Sequence, residues 1–483
     1  MKKLIYTIFW VIFLSGVVSC ADYIEGFDDN PNDPRDADPT NLIQGVMIAD
    51  MMVHTGDVTR LIGMWTNQFT GADRQYVTLD NWNGIQANSF NAAWGNIYAG
   101  VIGQSRLVQE KSSLENNLKL RGVAKVLEAH ALGTATALWG DVPNTQANNV
   151  AEYPNPIYDD QQAVYSYLQT VLTSAIADLG GLGTIPASKD IFYGGSALGW
   201  TQLAHSLKAR YFLHTGNYAN AESEAVLGIA SDATNFSAPF ANVYNGSFSP
   251  YYSFLVYDRP GYMSAADAHA PQLLDAAHAK YRGNAKTNEA GRFGWTFLKD
   301  FNIYNAGYEL NFLNGFDWGW SSNGKFGLQF PLVTRGETLL IIAEARIRQN
   351  DEAGAISAYN NYRSYLRSGG GGFASYAATF GLTVQYDDYS AADFETGGIE
   401  NPDGITASEA ILREILEERY IYFIGEFESF NDWRRTNNLL NIPIKGGNTQ
   451  IPQRLLYPQT EVDANRNTPS PLPGIYDKTK VNQ

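Results

Sequence analysis

Residues 200–229 and 334–366 each read as two helices folded back on a short turn, and this pattern commits the chain to a helical scaffold. In the first pair, Trp200, Leu203, Ala204, Leu207 and Tyr211 recur at helical spacing on one face. Gly216 can take the left-handed conformation that ends a helix, and Asn217 can cap the next one. Tyr218, Ala221, Ala225 and Ile229 then face back, and the small Ala221 and Ala225 allow a close crossing. In the second pair, Thr334 and Glu337 predict a capping box. Leu340, Ala343 and Ile347 form its first stripe, Asn350-Asp351 the turn, and Ile356, Tyr359 and Leu366 the second stripe.

Such hairpins resemble tetratricopeptide units, here scattered along the chain and not tandem. The expected fold class is mainly α: tetratricopeptide-like hairpins in a right-handed scaffold with large irregular insertions. Further helices are expected over 42–70 and 118–138, and over 90–108 with the stripe Phe90, Ala93, Trp94, Ile97, Tyr98, Val101 and Val108. Asp159 with Gln162, and Thr406 with Glu409, predict capping boxes for two more. Between these lie two insertions, about 235–330 and 369–404. The first is dense in Gly, Asn and aromatic residues, with β-like runs at 253–256 and 308–312. The second carries Gly369 to Gly372 and the acidic Asp387, Asp388, Asp393, Glu395 and Glu400.

The N-terminus reads as an export signal. Lys2 and Lys3 precede an apolar run, residues 4–18, too short to span a bilayer as a helix. The run ends at Ser19-Cys20, and Cys20 is the only cysteine of the chain. With no thiol partner, Cys20 reads as the lipidated end of a mature chain. Residues 1–19 are then a signal peptide, 20–40 an acidic tether rich in Asp and Pro, and 41–483 the folded body. That body has no disulfide available, so packing alone must hold its core. Asp and Glu outnumber Lys and Arg by 50 to 34, a net charge of −16, which speaks against nucleic acid as a partner.

Few patterns point to catalysis. The six histidines show no H-E-x-x-H pair, and no nucleophile elbow or phosphate loop is present. Neither a cofactor nor a metal is expected, although the Asp cluster at 387–393 could hold Ca²⁺. Glu414, Glu417 and Glu418 share a helix with Arg413 and Arg419, which suggests surface ion pairs. A glycosidase needs only two carboxylates, so hydrolysis stays open as an alternative. Aromatic residues make up 13% of the chain, and several fall in expected loops: Tyr76, Trp82, Trp295, Tyr304, Tyr308, Trp318 and Trp320. Flat rings stack on the apolar faces of pyranoses while neighbouring amides bond hydroxyls. Tyr76, Trp82, Trp295, Tyr308, Trp318, Trp320 and Asn323 are therefore the expected ligand-binding residues, with Trp318 and Trp320 as a stacking platform.

Several ordered motifs resemble the SusD/RagB family of Bacteroidetes outer-membrane lipoproteins. They are Trp94-x-x-Ile97-Tyr98, Trp139-Gly140-Asp141-Val142-Pro143, Leu207-x-Ala209-Arg210, Glu337-x-Leu339-Leu340, and a run from Ile415 to Arg435 with Glu417-Glu418-Arg419 and Asp432-Trp433-Arg434-Arg435. The resemblance implies a SusD-like domain over 41–483 with four tetratricopeptide-like units. It implies non-catalytic nutrient capture, usually of an oligosaccharide or polysaccharide, at the cell surface. It also implies a complex with a SusC-like TonB-dependent transporter and a lipid anchor in the outer membrane. Some members capture peptides instead, and that alternative stays open. Family motifs are structural, so the Arg434-Arg435 pair is expected to satisfy carboxylates such as Glu426.

Overall fold

The computed structural model describes residues 37–243, 246–300, 307–313 and 316–483; Cys20, Tyr304 and most of the acidic tether lie outside them. Pro39, placed in the tether by its composition, instead opens the first helix, α1 (Pro39–Thr55), with Asp38 as its N-cap. It is followed by α2 (Asp57–Trp65) and by α3, which runs through three abutting segments, Asn91–Gly95, Asn96–Ile102 and Gly103–Leu114. The middle segment winds with the wider i to i+5 turn. Then come α4 (Leu118–Trp139), α5 (Gln161–Leu179), α6 (Ala197–His214), α7 (Tyr218–Leu227), α8 (Arg335–Arg348), α9 (Glu352–Arg367), α10 (Ala407–Tyr422) and α11 (Glu428–Arg435). Among the described residues, no helix is long and apolar enough to cross a membrane.

Both hairpins form as their sequences require. Gly216 has φ +72° and Asn217 caps α7 by accepting the Asn220 N–H. At the second turn Asn350 has φ +63° and Asp351 caps α9. Ala221 is fully buried with Ala209, Leu213, Ala225 and Ile341, so α7 packs on α6 and also on α8, across the whole first insertion. The scattered units therefore stack on one another. Each α-helical neighbour pair, α4 on α5, α5 on α6 and α8 on α9, continues the same plan. Gly133 of α4 marks one close approach: an added Cβ would lie 2.1 Å from the Tyr211 hydroxyl, which donates to the Ala129 carbonyl at 2.9 Å.

The caps show where local pattern and tertiary use diverge. The Thr406–Glu409 box forms as expected. Asp160, not Asp159, caps α5, because the Asp159 carboxylate accepts the N–H groups of Asn144 and Thr145. No box forms at Thr334, whose hydroxyl bonds Tyr422 at 2.6 Å while Glu337 is buried against Arg210.

Among the described residues, four two-stranded antiparallel ribbons organise the insertions: β1 (Thr70–Gly71) pairs with β3 (Met263–Ser264), β2 (Phe236–Pro239) with β7 (Gln329–Val333), β4 (Thr287–Asn288) with β8 (Gln385–Tyr386), and β5 (Phe297–Lys299) with β6 (Tyr308–Leu310). The run 308–312 is thus partly strand as expected, but 253–256 is helical, in Pro250–Ser253 and the wide-turn segment Phe254–Asp258. The β4–β8 ribbon ties the two insertions together, with Thr287 opposite Tyr386.

The glutamates of α10 are a second correction. Glu414 and Glu418 are buried, not surface-paired. They receive Arg282 and Arg292 from the first insertion: Arg282 bonds Glu414 at 2.9 Å and Glu418 at 2.8 Å, and Arg292 bonds Glu418 at 2.7 Å. A charge leaving water is costly unless it is paired, so these arginines fix where the insertion sits on the scaffold. The Arg434-Arg435 expectation also changes. Arg434 donates to the carbonyls of Ala137 and Gln453, and Arg435 pairs with Glu344 at 2.6 Å. Neither reaches Glu426.

Candidate ligand-binding surface

The expected aromatic residues do not converge on one site, and their expected exposure is corrected: Tyr76, Trp82, Trp295, Tyr308, Trp318 and Trp320 are all buried. Each ring found apolar neighbours within the fold, because a large ring removes more surface from water by packing than by facing solvent. Tyr76 packs on Phe254 at 4.9 Å and on Tyr262 at 6.0 Å. Trp82 meets Trp65 edge to face and donates its indole N–H to Tyr476 at 2.8 Å. The Tyr308 hydroxyl donates to Asp275 at 2.8 Å. Burial would raise the Asp275 carboxyl, but bonds from Lys299, the Ala277 N–H and Tyr308 outweigh it and hold it below its usual value. Trp320 is fully buried and stacks on Phe326 at 4.1 Å, and Trp295 leans on the same Phe326 at 5.3 Å. Trp320 also nests over Gly425, φ +82°, where an added Cβ would lie 2.5 Å from the indole.

Trp318 differs from the rest. Phe316 stacks on it at 4.3 Å with planes 15° apart, Phe380 lies at 5.2 Å, and Tyr376 meets it edge to face at 5.0 Å. Trp318 is only 8% exposed, but Phe316 is 47% and Phe380 51% exposed. Trp318 is therefore the floor, and the two phenylalanines cover it and present their own rings to water. The two insertions build this patch jointly. The short helix Ala374–Thr379 packs on the short helix Ala290–Thr296, where Gly294 leaves room for the Tyr376 ring. Asn323 lies just past the same turn, half-buried, and its side chain accepts from Asn242 at 2.8 Å. Asp317, beside Trp318, is exposed.

Sequence reading missed Phe316, Tyr376 and Phe380. The available signal was the i, i+4 pair Tyr376 and Phe380 in a segment otherwise made of small residues.

Two other clusters bear on metal binding. Asp50, His54 and His130 are buried together. The imidazoles are stacked, with centroids 3.9 Å apart and planes 10° apart. Parallel rings cannot both direct an in-plane lone pair at one ion. His54 Nδ1 donates to the Asp50 carbonyl at 2.8 Å, and His130 Nδ1 bonds the Asp50 carboxyl at 2.9 Å. Burial holds His54 down at about 3 and lifts Asp50 to about 6. This geometry is a hydrogen-bonded knot joining α1 to α4. In the Asp cluster of the second insertion, Asp388 pairs with Arg367 and Asp393 with Lys286, both at 2.7 Å.

Comparison with known proteins agrees with this architecture. A SusD homolog from Bacteroides uniformis superposes with a TM-score of 0.66 at 18% identity, covering 92% of this chain and 100% of that one. A SusD/RagB family protein from Bacteroides thetaiotaomicron gives 0.64 at 18% identity, covering 89% and 95%. A structure described as a chitin-binding protein gives 0.58 at 18% identity, again covering 89% and 95%. No curated protein matches the sequence. Residues 31–458 match the SusD-like family described as starch-binding associating with outer membrane, and the chain belongs to that family.

Proposed function

We propose that this protein is a non-catalytic, cell-surface glycan-capture lipoprotein, tethered to the outer membrane through Cys20, which passes its ligand to a SusC-like TonB-dependent transporter. The aromatic patch of Phe316, Trp318 and Phe380 carries the reading. Two exposed rings on a packed indole floor give flat apolar area of the kind that stacks on pyranose faces, and exposed apolar patches mark interaction sites. Asp317 beside them is an acceptor for sugar hydroxyls, and Asn242 with Asn323 forms an amide edge nearby. Family membership supports the outer-membrane setting, and the chitin-binding neighbour supports a glycan over a peptide.

Calorimetric titration of a glycan panel against the wild type and a Phe316→Ala/Phe380→Ala double variant tests the proposal. Binding to the wild type alone is the expected result. Affinity for a neutral glycan should hardly change with salt, since stacking involves no ion pair. Capture of a basic peptide, weakening as salt screens the −16 charge, would replace this reading with peptide uptake. Release of reducing ends during the titration would replace it with hydrolysis.

A further inference from the structure

Beneath the Gly369–Gly372 turn lies a cavity of about 40 Å³, lined among others by Trp295, Lys325, Gly371, Tyr422 and Glu426. That is room for about three waters. We propose that this cavity is a binding site for one small monovalent anion, a halide or a small carboxylate, held between the Lys325 ammonium and the Trp295 indole N–H.

The argument rests on donors without acceptors. Trp295 is 4% exposed, and its Nε1 is buried with no hydrogen-bond partner among the described residues. A buried N–H left without an acceptor is costly, so it points to a ligand or water. Lys325 is half-buried, with its ammonium 5.9 Å above the Tyr422 ring. It makes no hydrogen bond and no close ion pair among the described residues, unlike the buried Arg282, Arg292 and Arg435. Both residues line the cavity, and the Lys325 stem and the Trp295 ring both flank Gly372. A Cβ built there would touch the Lys325 stem at 3.2 Å and the indole edge next to Nε1, atom Cζ2, at 3.4 Å.

Glu426 closes the cavity from the scaffold side, 7% exposed. An ionised Glu426 bonded to Lys325 would fill the acceptor role, but the two form no contact ion pair. Burial first, with Glu337 and Glu428 adding repulsion, holds the Glu426 carboxyl well above its usual range despite Lys325 and Arg210. The other cation lining the cavity, Arg292, already has Glu289 and Glu418 as partners. An ammonium and an indole N–H that line one cavity, neither with an acceptor among the described residues, describe an anion site. The positive φ of Gly369, Gly371 and Gly372, +100°, +82° and +88°, lets the covering turn run without side chains that would fill the space.

Crystals of the full mature chain soaked in sodium bromide test the site directly. An anomalous peak within hydrogen-bond distance of Lys325 Nζ and Trp295 Nε1 is expected. In parallel, thermal melts at constant ionic strength should rise with bromide or chloride over gluconate, which is too large to enter, as mass action requires. Lys325→Met and Trp295→Phe should each lose that rise. If formate raises the melt and halides do not, the site takes a carboxylate. Water density in the cavity together with melts indifferent to both halide and formate would overturn the proposal. Should Lys325→Met fail to fold, Trp295→Phe, which removes only the N–H, carries the test by itself.

Discussion

Arg210 of α6 grips Glu337 of α8 through two charge-assisted hydrogen bonds of 2.6 Å, from Nε and Nη2, with both residues buried. The two helices belong to different hairpins, and this pair locks them across the first insertion. Glu337→Ala should therefore cost roughly 3–5 kcal/mol, because it strands a buried guanidinium. Glu428, 3.7 Å from Arg210, softens the loss toward the lower end. Replacing both partners, as Arg210→Met with Glu337→Leu, should recover much of it. Denaturant unfolding of the two variants checks the difference; equal losses would mean that the pair matters only for shape.

Acid should unfold the protein through Glu344 and Glu418. Burial would raise both carboxyls, but Arg435 and Arg419 beside Glu344, and Arg292 and Arg282 beside Glu418, hold each at about 2. A carboxyl depressed in the folded state stabilises it fully above its unfolded pKa, here 4.5, and that stability is lost as pH falls toward 2. Glu414 has the opposite sign. Burial lifts it to about 8, and both of its donors, Arg282 and Tyr359, bond the same oxygen, leaving the other for the proton. Wild-type stability should thus fall relative to Glu414→Gln as pH rises from 4.5 to about 8. Melts of both across that range check it; parallel curves would place an ionised carboxylate at Glu414.

Ala221 is fully buried at the crossing of α6, α7 and α8, among Ala209, Leu213, Ala225 and Ile341. Ala221→Phe should cost about 1–3 kcal/mol through overpacking. An unchanged melting temperature would show that the helices separate to admit the ring.

The two aromatic populations should separate by experiment. Trp320→Ala removes a fully buried indole and should cost roughly 3–5 kcal/mol. Phe380→Ala, at an exposed ring, should change stability by about 0.5 kcal/mol or less while weakening glycan binding. Melts paired with titrations decide; a large stability loss for Phe380→Ala would make that ring part of the core.

Cys20→Ser should abolish incorporation of a fatty-acid analogue and release the protein from the membrane while leaving its melt unchanged. Unaltered labelling of the variant would remove Cys20 as the acylation site.

The hairpins were legible in the sequence because their determinants are local. Periodic apolar residues, Gly216 with Asn217, and Asn350 with Asp351 lie within a turn or two of the helices they shape. The family, too, was legible, because its motifs keep their order along the chain. The fate of charged and aromatic side chains was not. Glu337 reads as half of a capping box until Arg210, far away in sequence, claims it, and Glu414 and Glu418 read as surface charges until Arg282 and Arg292 arrive from an insertion. Trp318 and Trp320 are two residues apart in one loop, yet Trp320 is buried on Phe326 while Trp318 underlies two exposed rings. Composition can supply a ring, but whether that ring faces core or solvent depends on which distant surface covers it. Only the packing of the two insertions, set by the β4–β8 ribbon and the arginines on α10, decides that.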